Sequence, residues 1–195
     1  MRKVVLYTLV SLDGDAENPS RYFTPDDRLE GPPEFDRAME EDLVRIIGTQ
    51  DTVLLGRRMY DEWSRFWPTA DPEIPFTGFI NQVKKYVLTS RPLSRSWNNA
   101  EPVGGPVADV IRHLKAQPGG DIGVHGSIEL AQSLLAGGWV DELRLVVGPA
   151  FGFSGRKLWP ATGDVRRLDL VSAAATPSGS VLLHYRGSSA GERLR

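Results

Sequence analysis

The stretch Asp51-Thr52-Val53-Leu54-Leu55-Gly56-Arg57-Arg58-Met59-Tyr60-Asp61-Glu62-Trp63 decides the fold. Its apolar run ends at Gly56, and the residues that follow are mostly good helix formers, so the pattern predicts a strand, a tight turn and a helix. Arg57 and Arg58 would lie in the first helical turn, where free backbone N–H groups and the helix dipole favour an anion such as phosphate. The alternative is an ordinary connection with two solvated arginines.

The same design appears again later in the chain. Residues 121–125 predict a strand, Gly126-Ser127 a turn, and residues 128–135 a helix that ends at Gly137-Gly138. Between the two units, residues 85–91 predict a further strand that ends in two hydroxyl residues and Arg91 and is stopped by Pro92. Strand and helix therefore alternate, which is typical of a mostly parallel sheet.

The N-terminal third opens with a central strand. Val4 to Val10 is a continuous β-prone run of the kind that is buried on both faces of a parallel sheet. Residues 15–33 contain too many prolines and glycines for regular structure and predict a long loop at the strand end. From about Glu34 to Ile47, apolar residues at helical spacing predict a helix, with Gly48 as its stop.

The remaining segments complete an α/β prediction. Residues 71–75 are predicted as a proline-rich loop, residues 106–114 as an amphipathic helix, and residues 143–147 as a strand. Residues 167–175 and 180–186 predict a terminal hairpin. We therefore expect a three-layer α/β/α domain over residues 1–187, with a mostly parallel mixed sheet, a C-terminal antiparallel hairpin and a disordered tail at 188–195.

Composition limits the function classes. The chain has 195 residues, 41% of them hydrophobic, and a net charge of -2, which is ordinary for one globular domain and gives no reason to expect nucleic acid. The sequence holds no apolar run of membrane-spanning length, and we expect a cytoplasmic protein without membrane contact. With no cysteine and three widely separated histidines, a metal site is not expected.

Ligands of such sheets bind beyond the carboxyl ends of the strands, where Asp13-Gly14, Gly56 to Arg58, Thr89 to Arg91 and residues 123–127 would all lie. The sequence contains no G-x-G-x-x-G, no phosphate-loop motif and no G-x-S-x-G. A nucleotide site at this edge would therefore be of another kind.

Five segments in order resemble dihydrofolate reductase-like proteins, above all the C-terminal reductase domain of the bifunctional riboflavin-biosynthesis deaminase-reductase and its standalone bacterial relatives. The resemblance spans residues 4–185. The segments that carry it are Ser11-Leu12-Asp13-Gly14, Leu54 to Tyr60, Tyr86 to Arg91, Gly123-Val124-His125-Gly126-Ser127 and Val140-Asp141-Glu142-Leu143.

The resemblance implies NADPH bound across the carboxyl edge of the sheet. It implies a phosphate-contacting turn at Gly56, Arg57 and Arg58, and a segment beside the adenosine 2′-phosphate at Thr89, Ser90 and Arg91. It further implies a glycine turn under the pyrophosphate at Gly123, His125, Gly126 and Ser127. The loop with Gly14 would pass the nicotinamide, and Val10 would also contact the cofactor. Met59, His125 and Ile128 depart from the family pattern, so cofactor affinity and preference stay open.

The implied reaction is hydride transfer to a small heterocyclic substrate, either an aminopyrimidine ribosyl phosphate or a pteridine such as dihydrofolate. The chain lacks the H-x-E and P-C-x-x-C signature of a zinc deaminase, so the deaminase half is absent. The alternative function is a non-catalytic nucleotide-binding or regulatory protein that kept the fold.

Three carboxylates are candidates for the proton that reduction of a C=N bond needs. Asp36 and Glu40 are four apart and would share one helix face beside an apolar stripe, and Asp13 lies in the loop beside the nicotinamide. The alternative for Asp36 and Glu40 is that both are solvated surface acids.

Two further expectations concern assembly and selectivity. The apolar run Val181-Leu182-Leu183 in a predicted edge hairpin favours a homodimer that covers it, although helices of the same chain could also do so. NADPH is expected to be preferred over NADH because the planar, permanently charged guanidinium groups of Arg58 and Arg91 suit a 2′-phosphate.

Overall fold

The computed structural model describes residues 1–23, 35–159 and 165–187. The predicted tail at 188–195, residues 24–33 of the predicted loop, and Glu34, where the second helix was expected to begin, lie outside the described residues. The statements on structure below concern the described part of the chain.

The described strands form one eight-stranded sheet in the order β4-β3-β2-β5-β1-β6-β8-β7. The first six strands of that order run parallel, and β8 is antiparallel to both of its neighbours, β6 and β7. The predicted mostly parallel sheet with a terminal hairpin is confirmed. The strands are β1 Val4–Ser11, β2 Gln50–Gly56, β3 Lys84–Leu88, β4 Ala100–Val103, β5 Asp121–His125, β6 Glu142–Gly148, β7 Leu168–Ala175 and β8 Val181–Gly187.

Helices connect the parallel strands and cover the sheet. They are α1 Ser20–Phe23, α2 Arg37–Ile47, α3 Arg57–Phe66, α4 Pro75–Gln82, α5 Val107–Ala116 and α6 Ile128–Gly137, with a short 3-10 helix at Trp67–Thr69 after α3. Among the described residues, no helix combines the length and apolar character that a membrane crossing requires.

Two apolar cores lie on opposite faces of the sheet, which confirms the three layers. Along β1, Val5 and Tyr7 face the core built with α2, α3 and α4, whereas Val4, Leu6 and Val10 face the core built with α5 and α6. This alternation follows from the period of two in a strand and explains why a central strand is apolar throughout.

Four elements differ from the sequence prediction. The four-residue helix α1 begins at Ser20 inside the predicted loop, and neither α4 nor β4 was assigned from the sequence. The strand β8 lies between β6 and β7, so Val181 to Leu183 are in the interior of the sheet and not at its edge. The edge on that side is β7.

Candidate functional site

Four turns line up along one edge of the sheet. The strands β3, β2, β5 and β1 are neighbours in that order and parallel, so the segments that follow them leave the same edge side by side. Three inter-strand spacings of about 4.8 Å separate the first strand from the last, which gives a row of about 14 Å. A row of this length suits an extended ligand better than a single phosphate.

Two helices begin in the middle of this row without side-chain caps. The helix α3 has Gly56 at its N-cap, and α6 has Ser127, whose side chain makes no cap hydrogen bond to its own helix. Instead the Gly56 N–H donates to the Ser127 Oγ over 3.0 Å. The first-turn N–H groups of both helices therefore have no side-chain cap, and such groups together with the helix dipole favour an anion.

The glycine turn after β5 needs its left-handed backbone. Gly126 has φ +71°, and a Cβ there would lie 2.6 Å from the Met59 Cε. Ser127 follows with φ +49°, which is uncommon for a residue with a side chain. Glycine thus lets the chain turn closely past α3 before α6 begins.

The arginines of the first α3 turn have different surroundings. The Arg57 Nε donates to both oxygens of Asp61 at 3.0 and 2.9 Å, and its Nη1 donates to the Pro92 carbonyl over 2.8 Å. Arg58 makes a single 3.1 Å ion pair with Glu62, and its side chain is 68% exposed. Arg57 therefore fastens the segment after β3, while Arg58 can turn toward a ligand.

The segment after β3 presents the other predicted phosphate contacts. Thr89 donates its backbone N–H to the Val103 carbonyl, and its Oγ1 accepts from the Arg91 N–H over 3.1 Å. Ser90 and Arg91 are exposed. The structure thus brings Arg58, Ser90 and Arg91 to the solvent side of neighbouring strand ends.

Gly14, in the loop after β1, also has a left-handed backbone, with φ +80°. A Cβ there would lie 2.6 Å from the Trp159 Nε1, so only glycine fits under this indole. Trp159 was not singled out in the sequence. An aromatic residue two positions after Lys157, in a loop after a strand, was the available signal.

The Asp13 carboxylate joins this loop to the segment after β6. It accepts from the Gly152 N–H at 2.8 Å, the Phe153 N–H at 3.0 Å and the Lys157 Nζ at 2.6 Å. The Lys157 ammonium and the Ser11 hydroxyl hold the pKa of Asp13 well below its usual range. An ionised carboxylate with these contacts is a structural anchor, and the geometry does not favour Asp13 as a proton donor.

The two acids of α2 also lie at the carboxyl edge. Asp36 is the N-cap: its Oδ1 accepts from the Met39 N–H and its Oδ2 from the Ser178 N–H, both at 3.0 Å. Burial acts to raise its pKa, but hydrogen bonds from the Ser178 and Thr176 hydroxyls and from backbone N–H groups lower it well below the usual range. Glu40 is exposed on the first turn. A proton-donor role for Asp36 is therefore not favoured.

Three of the predicted cofactor residues present no side chain to a ligand at the sheet edge. The Val10 side chain is buried in the core beside α5 and α6, so only its backbone can face a ligand. Gly123 lies within β5 and not in the turn, and a Cβ there would overlap the Gln50 amide. His125 is 3% exposed, and one of its ring nitrogens, Nε2, lies 2.7 Å from the Gln50 Oε1.

Comparison with known proteins agrees with this fold. Residues 105–182 match the family model described as the RibD C-terminal domain. This segment is similar to the RibD C-terminal domain. Over 190 residues, the chain is also 28% identical to the uncharacterized protein YyaP of Bacillus subtilis, with 94% of each chain covered.

Solved structures show the same fold at low identity. A protein ascribed to riboflavin biosynthesis from Shewanella sp. PV-4 matches with a TM-score of 0.72 at 16% identity, over 95% of this chain and 99% of that one. A diaminohydroxyphosphoribosylaminopyrimidine deaminase/5-amino-6-(5-phosphoribosylamino)uracil reductase from Thermotoga maritima matches with a TM-score of 0.65 at 12% identity, covering 96% of this chain and 57% of that one. The family-model match over residues 105–182 supports a reductase function.

Proposed function

We propose that this protein is an NADPH-dependent reductase that transfers a hydride to a small heterocyclic substrate, either an aminopyrimidine ribosyl phosphate or a pteridine such as dihydrofolate. The observation that carries the proposal is the pair of uncapped helices, α3 and α6, that begin side by side at the turns after β2 and β5. Two adjacent anion-binding helix ends match the two phosphates of a dinucleotide.

The surrounding residues fit the rest of such a cofactor. Gly14 in the turn after β1 and Gly126 in the turn after β5 have left-handed backbones. They make these turns compact, so that a ligand can approach the backbone there. NADPH, when bound, supplies the hydride. The chain must hold the cofactor along the edge, keep the substrate beside it and admit a proton.

Selection of NADPH over NADH is assigned to Arg58 and Arg91, with Ser90 as a neutral donor. Arg58 has one exposed ion pair, and Arg91 is exposed on the neighbouring strand end. Arg57 is excluded from this role because Asp61 and Pro92 already engage its guanidinium group. A fork of N–H donors with permanent charge is well suited to a 2′-phosphate.

The proton for the reduction would come from solvent through an exposed group. Asp13 and Asp36 are held ionised by their hydrogen bonds, which leaves Glu40 as the predicted acid that we retain for relaying a proton. If Glu40→Gln keeps wild-type turnover on an identified substrate, Glu40 has no such role.

Titration of NADPH and NADH against the wild type, Arg58→Ala and Arg91→Ala tests the cofactor assignment. Each charge-assisted hydrogen bond contributes about 1.5 to 3 kcal/mol, so each variant should bind NADPH roughly tenfold to a hundredfold more weakly and NADH almost unchanged. Arg65→Ala, on the last turn of α3, is the matched control. Equal wild-type affinities for the two cofactors, or equal losses for both, would contradict the assignment.

Turnover separates the reductase from a non-catalytic nucleotide-binding protein. The ionised state of Asp13 and Asp36 is the observation that favours the second function. We expect NADPH oxidation, followed by its absorbance, when dihydrofolate or an aminopyrimidine ribosyl phosphate is added. Saturable quenching of tryptophan fluorescence by NADPH, without oxidation across a panel of pteridines and pyrimidines, would support the binding protein instead.

A further inference from the structure

The Ser127 side chain connects the two turns that form the centre of the site. We propose that Ser127 is a positioning residue that fixes the spacing of the glycine turns after β2 and β5, and thereby the affinity for a dinucleotide; this role rests on the proposed function. Three features of Ser127 support this role: the position of its hydrogen bond with the Gly56 N–H, the N–H groups of α6 that its hydroxyl leaves uncapped, and its left-handed backbone.

The hydrogen bond lies beyond the last paired residues of β2 and β5. These are Leu54 and Val124, so Gly56, which still pairs with Leu88 of β3, has no ladder partner in β5. The 3.0 Å bond from the Gly56 N–H to the Ser127 Oγ connects the turns at this point. Ser127 is 8% exposed, so water competes little for the bond.

The hydroxyl makes this connection at the expense of its own helix. Serine at an N-cap normally accepts from an N–H of the first helical turn. At Ser127 no such bond forms, although its carbonyl accepts the first helical bond from the Ala131 N–H. One residue thus starts α6, leaves the N–H groups of its first turn uncapped and holds the N-cap residue of α3.

The backbone of Ser127 has a cost that glycine would avoid. Its φ of +49° lies in the left-handed region, where a residue with a Cβ is disfavoured. Replacement by glycine would relieve this cost and remove the hydroxyl, whereas replacement by alanine would remove the hydroxyl and keep the cost. The two variants therefore separate the connection between turns from the stability of the fold.

The experiment measures NADPH affinity, melting temperature and amide exchange at Gly56 in wild type, Ser127→Gly and Ser127→Ala. Loss of one neutral hydrogen bond should weaken NADPH binding by about five- to tenfold in both variants. The melting temperature of Ser127→Gly should exceed that of Ser127→Ala by about 2 to 4 °C. The Gly56 amide should exchange faster in both.

Asn99→Gly is the matched control. Asn99 also has a left-handed φ, +54°, and its Nδ2 donates to a backbone carbonyl, that of Gln82, but it precedes β4 at the opposite edge of the sheet. This control should leave NADPH affinity unchanged.

The outcomes distinguish the inference from the proposed function. NADPH affinity that follows the melting temperature, or that is unchanged in both Ser127 variants while the wild type binds, would overturn the role of Ser127 alone. A wild type that binds no NADPH would overturn the proposed function and the positioning role with it. Binding that is weakened to a similar extent in both variants, while Ser127→Gly melts at a higher temperature than Ser127→Ala, would support the inference.

Discussion

At the scale of single residues, His125 is buried beneath the glycine turn after β5. Its ring lies among aromatic rings, with centroids 5.7 Å from Tyr7, 5.2 Å from Phe76 and 5.9 Å from Phe79. The absence of a side chain at Gly123 makes room for the Gln50 amide that meets the ring. Burial lowers the pKa of His125 from 6.5 to about 3, so the folded protein holds it neutral.

This neutral histidine should make stability fall in mild acid. Below pH 6.5 His125 becomes protonated in the unfolded chain, whereas in the folded chain it stays neutral down to about pH 3. The free energy of unfolding therefore decreases as pH falls through this window. The contribution of this one group is about 2 kcal/mol between pH 8 and pH 5. Urea unfolding at several pH values measures it.

The comparison of slopes isolates the residue. His125→Phe should reduce the dependence of unfolding free energy on pH, whatever its effect on stability at pH 8, whereas His113→Gln, at an exposed position, should leave it unchanged. His184 is also buried with a lowered pKa and keeps its contribution in both variants. An unchanged slope in His125→Phe would show that His125 is not held neutral.

The sequence indicated which turns meet at the carboxyl edge of the sheet but not the directions of their side chains. Arg57 and Arg58 are equivalent by pattern, and the structure separates them because only Arg57 reaches Asp61 and the Pro92 carbonyl. The buried state of His125 likewise depends on Gln50, 75 residues away in the chain. Such contacts between distant residues are not present in any local pattern.

At the scale of elements, two segments at the site edge are joined by charges. Asp13 binds the backbone of residues 152–153 and the Lys157 ammonium, and Glu17 pairs with Arg156 over 2.9 Å. Gly14, with Trp159 against it, lies between these contacts. The loop after β1 and the segment after β6 should therefore move together.

Asp13→Asn should release this connection. The variant loses the charge that pairs with Lys157 and one of two acceptor oxygens, so the amides of Gly152 and Phe153 should exchange with solvent faster. Native-state hydrogen exchange measures the effect. Exchange at Gly56 should stay at the wild-type rate because its amide bonds to Ser127.

Asp71→Asn provides the control, since the Asp71 carboxylate accepts from the Glu73 N–H in an exposed turn elsewhere. It should leave exchange at residues 152–153 unchanged. Equal protection of Gly152 and Phe153 in wild type and Asp13→Asn would show that the connection does not depend on the carboxylate.

The elements that the sequence did not predict are those whose stability comes from distant contacts. The helix α4 is eight residues long and contains Gly78, but Phe76 and Ile80 are buried in the core. The buried Lys85 Nζ donates to the Ile80 carbonyl in the last turn of α4 at 2.7 Å and to the carbonyl of the C-cap residue Val83 at 2.8 Å. Strand β4 contains a proline, which an edge strand tolerates because its outer N–H groups need no partner.

At the scale of the whole molecule, the alternation of strands and helices was sufficient to predict the layers. The order of strands was not contained in that pattern, because it depends on which edges meet after long crossovers. The consequence concerns assembly: the interior position of β8 removes the reason for which Val181 to Leu183 were expected to form the dimer contact. The exposed edge is β7, and all eight of its residues are exposed.

We expect the homodimer to form through β7. Leu168, Leu170 and Val171 are 43%, 57% and 41% exposed on this strand, an apolar group without a cover in the described part of the chain. The register of β7 against β8 shifts between Leu170 and Ser172, and such a bulge makes the backbone edge a poor template for another strand. A second copy should therefore pack on the side chains of β7 and not extend the sheet.

Sedimentation of the wild type at micromolar concentration should give twice the 21.5 kDa of the chain, and Leu170→Lys should give the single-chain mass because a charge in an apolar contact is costly. Val44→Lys, at an exposed apolar position on α2, should remain dimeric. A wild type of 21.5 kDa would show that no dimer forms. A dimer that persists in Leu170→Lys would place the contact elsewhere, since a β7 interface cannot accommodate a buried unpaired lysine next to Leu168 without dissociating.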